Sequence, residues 1–234
     1  MKSMWLHLFA VLILLCCTDA NAASYPSEGQ LRTAIGDVVG LLKAEGLPLE
    51  MFDAQKEGVT RPLMAAGLNL DTGVCIIFYN TKPEEGLTEF FGRMTDQEMP
   101  VWLNAIAAHE ATHCVEQREA YVRERFTKVL PPGCKCHGMT LQGYISVVES
   151  GTTETWTEAL ADIASILYLK KAEPVRWRYF ANGIANMRHD LAAQWPEHDT
   201  SPWLRKLIAL DAVTAKDENI FDAAFRLRLE LDPN

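Results

Sequence analysis

The chain has 234 residues, a formal net charge of −9, and 48% hydrophobic against 23% charged residues. This acidic balance disfavours nucleic acid and anionic lipid surfaces as partners, since both are polyanions. The length suits a single domain with a substantial core. Beyond the N-terminal run, no stretch approaches the roughly 18 apolar residues that mark a membrane span.

Lys2, the apolar run over 5–17 and Ala20-Asn21-Ala22 together have the form of a secretory signal peptide, with cleavage expected after Ala22. Residues 23–234 are then expected as one exported domain, periplasmic or secreted. Cys16 and Cys17 leave with the signal, and Cys75, Cys114, Cys134 and Cys136 remain. Four cysteines in an exported chain point to two disulfides. Three pairings are possible. Closure between Cys134 and Cys136 is strained, so each is expected to reach Cys75 or Cys114. The alternative is a second metal site from Cys134, Cys136 and His137.

Leu31, Ile35, Val38, Val39 and Leu42 repeat at helical spacing, predicting a helix over 26–45 that ends at Gly46. Leu68-Asn69-Leu70, the Asp71-Thr72-Gly73 turn and the run 74–79 read as a β-hairpin. Its second strand is apolar almost throughout, so burial on both faces is expected. Residues 81–86, with Pro83, read as a loop. The next helix starts between Thr95 and Pro100, with Thr95 and Glu98 spaced as a capping box. It is expected to continue through the charged stretch 116–125, read as a solvated face, and to stop before Pro131-Pro132-Gly133.

A Gly- and Cys-containing loop over 131–151 is long enough to border a cleft. Helices follow over 152–171 and 174–195, from Ser201-Pro202, and over 217–231 with Asp217 as cap. There is no internal repeat or interdomain linker. The fold class is therefore α+β, mostly helical, with a small sheet or hairpin toward the N-terminal side.

The chemistry concentrates in His109-Glu110-Ala111-Thr112-His113, an H-E-x-x-H pentapeptide inside the helix that starts near Thr95. Positions i and i+4 project from one face, so both imidazoles can hold one ion, and Glu110 sits where it can take a proton from bound water. A catalytic Zn²⁺ needs these two nitrogens, a third protein ligand and a vacant position. Glu158 can supply the third ligand. Asp162, one turn on, can accept the free ring N–H of a ligand histidine and fix its tautomer. The competing reading is an acidic outer stripe of Glu154, Glu158 and Asp162. The apolar Ala159, Leu160, Ile163, Ala164 and Leu167 count against it, because a charge in such surroundings needs a partner.

H-E-x-x-H followed by Glu158-Ala159-Leu160-Ala161-Asp162 resembles the gluzincin metallopeptidases. Thermolysin-like members pair the first motif with E-x-x-x-D, and CAAX-prenyl-protease-like members pair it with E-x-x-A-D. The resemblance covers the two motif-bearing helices, not the whole chain, and the motifs here lie further apart than in thermolysin-like enzymes. It implies a zincin-like domain with a two-helix zinc site. By residue, it implies His109, His113 and Glu158 as metal ligands, Glu110 as general base, and Asp162 as partner of a ligand imidazole.

A downstream histidine in this family contributes to the cleft, and His198 is the nearest analogue, able to hydrogen-bond the oxyanion; its plain alternative is a capping or surface residue. Glu154 is the second choice for third ligand, and Glu149 a more distant one in a loop. His189 reads as a helix-surface residue. The expected function is hydrolysis of peptide bonds in a polypeptide or peptide substrate, with Zn²⁺ as cofactor. The alternatives are hydrolysis of cell-wall peptide amides and a catalytically silent zinc-binding scaffold.

Overall fold

The computed structural model describes residues 25–58, 62–82, 85–211 and 218–233. The expected signal peptide, Pro83 and Asp217 lie outside them. Among the described residues the chain is mostly helical with one small sheet, an α+β arrangement.

Helix α1 (Glu28–Ala44) opens with Ser27 and Gln30 in a reciprocal capping box and ends ahead of Gly46, whose φ of +71° glycine adopts without strain. Three strands follow: β1 (Leu49–Asp53), β2 (Met64–Asn69) and β3 (Val74–Tyr79). Their order is β1-β3-β2, with β1 parallel and β2 antiparallel to β3. The β2–β3 hairpin forms at Asp71-Thr72-Gly73. There the Asn69 side chain accepts the backbone N–H groups of Asp71 and Thr72, and Gly73 donates to the Asn69 carbonyl at 2.8 Å. The sequence reading contains this hairpin but not β1. Strand β3 is fully buried on one face only, through Cys75, Ile77 and Tyr79. Val74, Ile76 and Phe78, on the other face, are half-covered.

A short helix α2 (Glu85–Gly92) begins where the sequence reads as loop. Helix α3 (Met99–Gln117) carries the H-E-x-x-H motif. Thr95 and Glu98 meet just before it, though not as the expected capping box: Glu98 Oε2 accepts the backbone N–H and the hydroxyl of Thr95, each at 3.0 Å, while Glu98 itself is the N-cap and its side chain caps no helix N–H. The helix does not run on unbroken. It widens into a π-helical turn over Arg118–Val122 and breaks where Glu124 takes a φ of 50°, before the short α4 (Phe126–Val129).

Of the charges of this stretch, Arg123, Glu124 and Arg125 are exposed as expected, but Glu116, Arg118 and Glu119 are not part of a solvated face. Glu119 is buried and holds Arg118, Arg123, Arg125 and Lys128 around its carboxylate, and Glu116 pairs with the fully buried Arg228 at 2.8 Å. Each buried carboxylate has found its cation, as the cost of leaving one unpaired requires.

Helix α5 (Leu141–Glu149) interrupts the expected 131–151 loop, capped by the Thr140 hydroxyl; Glu149 is its exposed last residue. Helices α6 (Glu154–Ala172), α7 (Trp177–Leu191), α8 (Ser201–Ala209) and α9 (Ile220–Glu230) complete the domain. Asn219, not Asp217, caps α9, its side chain accepting from the N–H groups of Phe221 and Asp222. The centre of the fold is the packing of α3 on α6, with α1 and β2 also against α3. Ser165 donates to the Ala105 carbonyl across that contact at 2.9 Å. No helix among the described residues is long and apolar enough to cross a membrane.

The cysteine pairing differs from expectation. Cys75 on the buried face of β3 and Cys114 on α3 form a disulfide, their Cα atoms 5.6 Å apart and within bridging range. Cys134 and Cys136 are therefore free, half-buried in the α4–α5 loop, with their side chains hydrogen-bonded to each other. They do not converge with His137 on a metal-like geometry.

Candidate metal centre

The interface of α3 and α6 places the motif residues together. On α3, one face carries the small buried Ala107, Ala108 and Ala111, which let α6 approach closely; His109 and His113 lie at the edge of that contact. On α6, Ala159, Leu160, Ile163 and Ala164 are fully buried, and Glu158 and Asp162 leave the same helix one turn apart toward the histidines.

The Nε2 atoms of His109 and His113 are 3.2 Å apart. Glu158 Oε2 lies 3.5 Å from His109 Nε2, and Oε1 lies 3.6 Å from His113 Nε2. A four-coordinate zinc with bonds of about 2.0–2.2 Å spaces its ligands about 3.3–3.6 Å apart. The two imidazole nitrogens and the Glu158 carboxylate, which turns one oxygen to each of them, are thus spaced as the ligands of such an ion are, and the donor set of two imidazoles and one carboxylate suits zinc.

Behind the donors is a polar network. Asp162 Oδ1 lies 2.8 Å from His109 Nδ1, which leaves Nε2 turned toward His113 and Glu158. Arg188 of α7 donates to Asp162 through Nε at 2.7 Å and Nη2 at 2.9 Å, and through Nη2 to Glu158 Oε2 at 2.8 Å. The buried Thr200 hydroxyl donates to Asp162 Oδ2 at 2.5 Å. Asp162 is thus fully satisfied although almost wholly enclosed.

The electrostatics follow from this enclosure. Burial pushes the His109 imidazole down, but the charges of Asp162 and Glu158 reverse that and lift it to about 8. Burial and the neighbouring His109 pull His113 down to about 4, so it is neutral. Burial raises Glu110 to about 7. Glu158 is held at about 2 in spite of burial, chiefly by His109 and His198. Asp162 is likewise driven well below the usual carboxylate range, its burial outweighed by Arg188 and His109. Glu110 on α3 and Glu158 on α6 therefore differ, the first titrating near neutral pH and the second ionised.

The remaining sequence-read residues fall in distinct places. His198 ends a 3₁₀ turn (Pro196–His198), with Nε2 3.1 Å from Glu154 Oε1 and Nδ1 3.5 Å from Glu158 Oε2. The site thus includes His198 beside Glu158, and its pKa is raised, first through the hydrogen bond to Glu158. Glu154 belongs with Glu197 and His198 in a second, more exposed group, not with the paired imidazoles. His189 is exposed on α7.

Arg188 and Thr200 are absent from the sequence reading. Arg188 carried a signal: it continues the buried stripe Trp177, Phe180, Ala181, Ile184 and Ala185, and a charge on an apolar stripe implies a buried partner. Thr200 offered none.

In comparisons with known protein families, curated proteins and solved structures, this chain matches none.

Proposed function

We propose that the protein is a zinc-dependent metallopeptidase of the gluzincin type, with a zincin-like domain, acting on peptide bonds. The observation that carries this reading is the convergence of His109, His113 and Glu158 at tetrahedral-edge distances, with Glu110 alongside. His109 and His113 would hold the ion through Nε2 and Glu158 through its carboxylate. Asp162 would orient His109, and Arg188 would lock Asp162 and Glu158 in turn. Zinc, when bound, supplies a Lewis acid for the scissile carbonyl and makes water acidic enough to attack near neutral pH.

The chain's own residues would do the rest. Glu110, raised to about 7, is suited to accept the proton of the attacking water and return it to the leaving amine. His198, beside Glu158, would offer a ring N–H to the carbonyl oxygen as that oxygen gains negative charge. Strand β2 lies at the sheet edge beside α3, and its outward backbone groups could pair with an extended peptide where the α3 side chains bonded to them give way.

The buried disulfide supports an exported chain, since such bonds persist in oxidising compartments. Peptide amides of a cell wall present the same scissile group and are a second substrate class for the same residues.

The test is Glu110→Gln, with zinc content and cleavage of a broad peptide mixture both measured. Zinc should remain at the wild-type level while hydrolysis falls on the order of 10²–10⁴-fold. Retained hydrolysis removes Glu110 from its role. Stoichiometric zinc without hydrolysis by the wild type would leave a zinc-binding scaffold.

A further inference from the structure

The register of β2 against β3 decides which backbone groups of β2 face outward. The Leu63 carbonyl accepts the Asn80 N–H at 2.8 Å, and pairing continues through Ala65, Gly67 and Asn69. Met64, Ala66 and Leu68 therefore turn their N–H and C=O groups to the free edge. Two of those donors are already taken by α3. The Glu110 carboxylate accepts the Ala66 N–H, and Gln117 Oε1 accepts the Leu68 N–H at 2.7 Å. Glu110 and Gln117 stand two turns apart on one face of α3, so β2 and α3 run in the same direction.

These two contacts differ in consequence. Glu110 must leave Ala66 to serve as base, which frees that N–H for a peptide. Gln117 has no such duty, and its amide oxygen sits where a paired peptide would place its own carbonyl. A peptide lying antiparallel to β2 runs, amino end first, from Leu68 toward Met64. Its amino-terminal portion is the part that meets Gln117. Ala66 and Leu68 are separated by about 7 Å of strand, or two residues.

Resting on the metallopeptidase reading, we propose that Gln117 is a specificity-determining stop that confines cleavage to the amino-terminal end of peptides, releasing fragments of about two residues.

The experiment uses the zinc-reconstituted full chain and peptides of about ten residues, with free or acetylated amino termini, the products being read by mass spectrometry. Wild type should release short amino-terminal fragments and leave internal bonds largely uncut. Gln117→Ala should open internal bonds, raising kcat/KM for them roughly three- to tenfold, the worth of one backbone hydrogen bond. Gln117→Glu, which keeps an acceptor at the same place, should retain the wild-type pattern. Hydrogen exchange of the Leu68 amide should accelerate in Gln117→Ala and not in Gln117→Glu.

Internal cleavage by wild type with long amino-terminal arms, or an unchanged product pattern in Gln117→Ala, overturns the stop and leaves the peptidase reading standing. A wild type that binds zinc and cuts no peptide overturns both.

Discussion

His109 Nδ1 lies 2.8 Å from Asp162 Oδ1, and the same carboxylate takes two hydrogen bonds from Arg188. The tautomer and the ring orientation of His109 are therefore set from behind, before any ion arrives. Asp162→Asn keeps the shape and removes the charge. Zinc affinity should fall about 10–100-fold, read by competition with a chromophoric chelator, while the far-ultraviolet circular dichroism stays unchanged. Unaltered affinity would mean that Asp162 serves folding alone.

Arg188 is the guanidinium that bridges two enclosed carboxylates, Asp162 and Glu158. Arg188→Met removes it while keeping much of the volume, and leaves both negative charges facing each other in a poorly hydrated space. Breaking such a buried pair costs about 3 kcal/mol or more. Urea unfolding of the metal-free variant should show that loss, and zinc should restore part of it, because a cation then returns to Glu158.

Proton linkage gives a third prediction. His109 is raised to about 8, so near pH 7 the metal-free protein carries an imidazolium that must lose its proton before Nε2 can bind an ion. Zinc binding at pH 7 should release close to one proton from this group, and above pH 9 almost none. Affinity should accordingly weaken about tenfold per pH unit below 8. Calorimetry in buffers of different ionisation enthalpy measures the release. For the metal-free protein the raised pKa contributes stability that is complete below 6.5 and lost as pH rises through about 8.

How far the sequence carried this picture can be argued from particular residues. The H-E-x-x-H spacing and the Glu158–Asp162 turn lie on strongly periodic helices, so their facing directions follow from 3.6 residues per turn. The α2 helix and strand β1 escaped because short elements carry too few repeats to show a period. Glu116 was read outward with its charged neighbours because sequence cannot show that Arg228, far along the chain, returns to pair with it. The cysteine pairing failed for the same reason: Cys75 and Cys114 meet only once the sheet packs on α3.

That pairing makes a fourth prediction. Unreduced native protein prepared without residues 1–22 should show two thiols by colorimetric titration, from Cys134 and Cys136, and peptide mapping should recover Cys75 joined to Cys114. Removing that bond by a paired serine substitution should cost about 2–4 kcal/mol. A recovered fragment joining Cys134 or Cys136 to Cys75 would contradict the arrangement.

The most direct test of the metal centre is the stoichiometry and spectrum of bound Co²⁺, used as a visible stand-in for zinc, in wild type and in His113→Ala and Glu158→Ala. One ion per chain is expected in wild type, with the intense visible bands of a four-coordinate site, and loss of both stoichiometric binding and those bands in each variant. Cobalt retained at one per chain with an unchanged spectrum in His113→Ala and Glu158→Ala would show that these residues do not hold the ion.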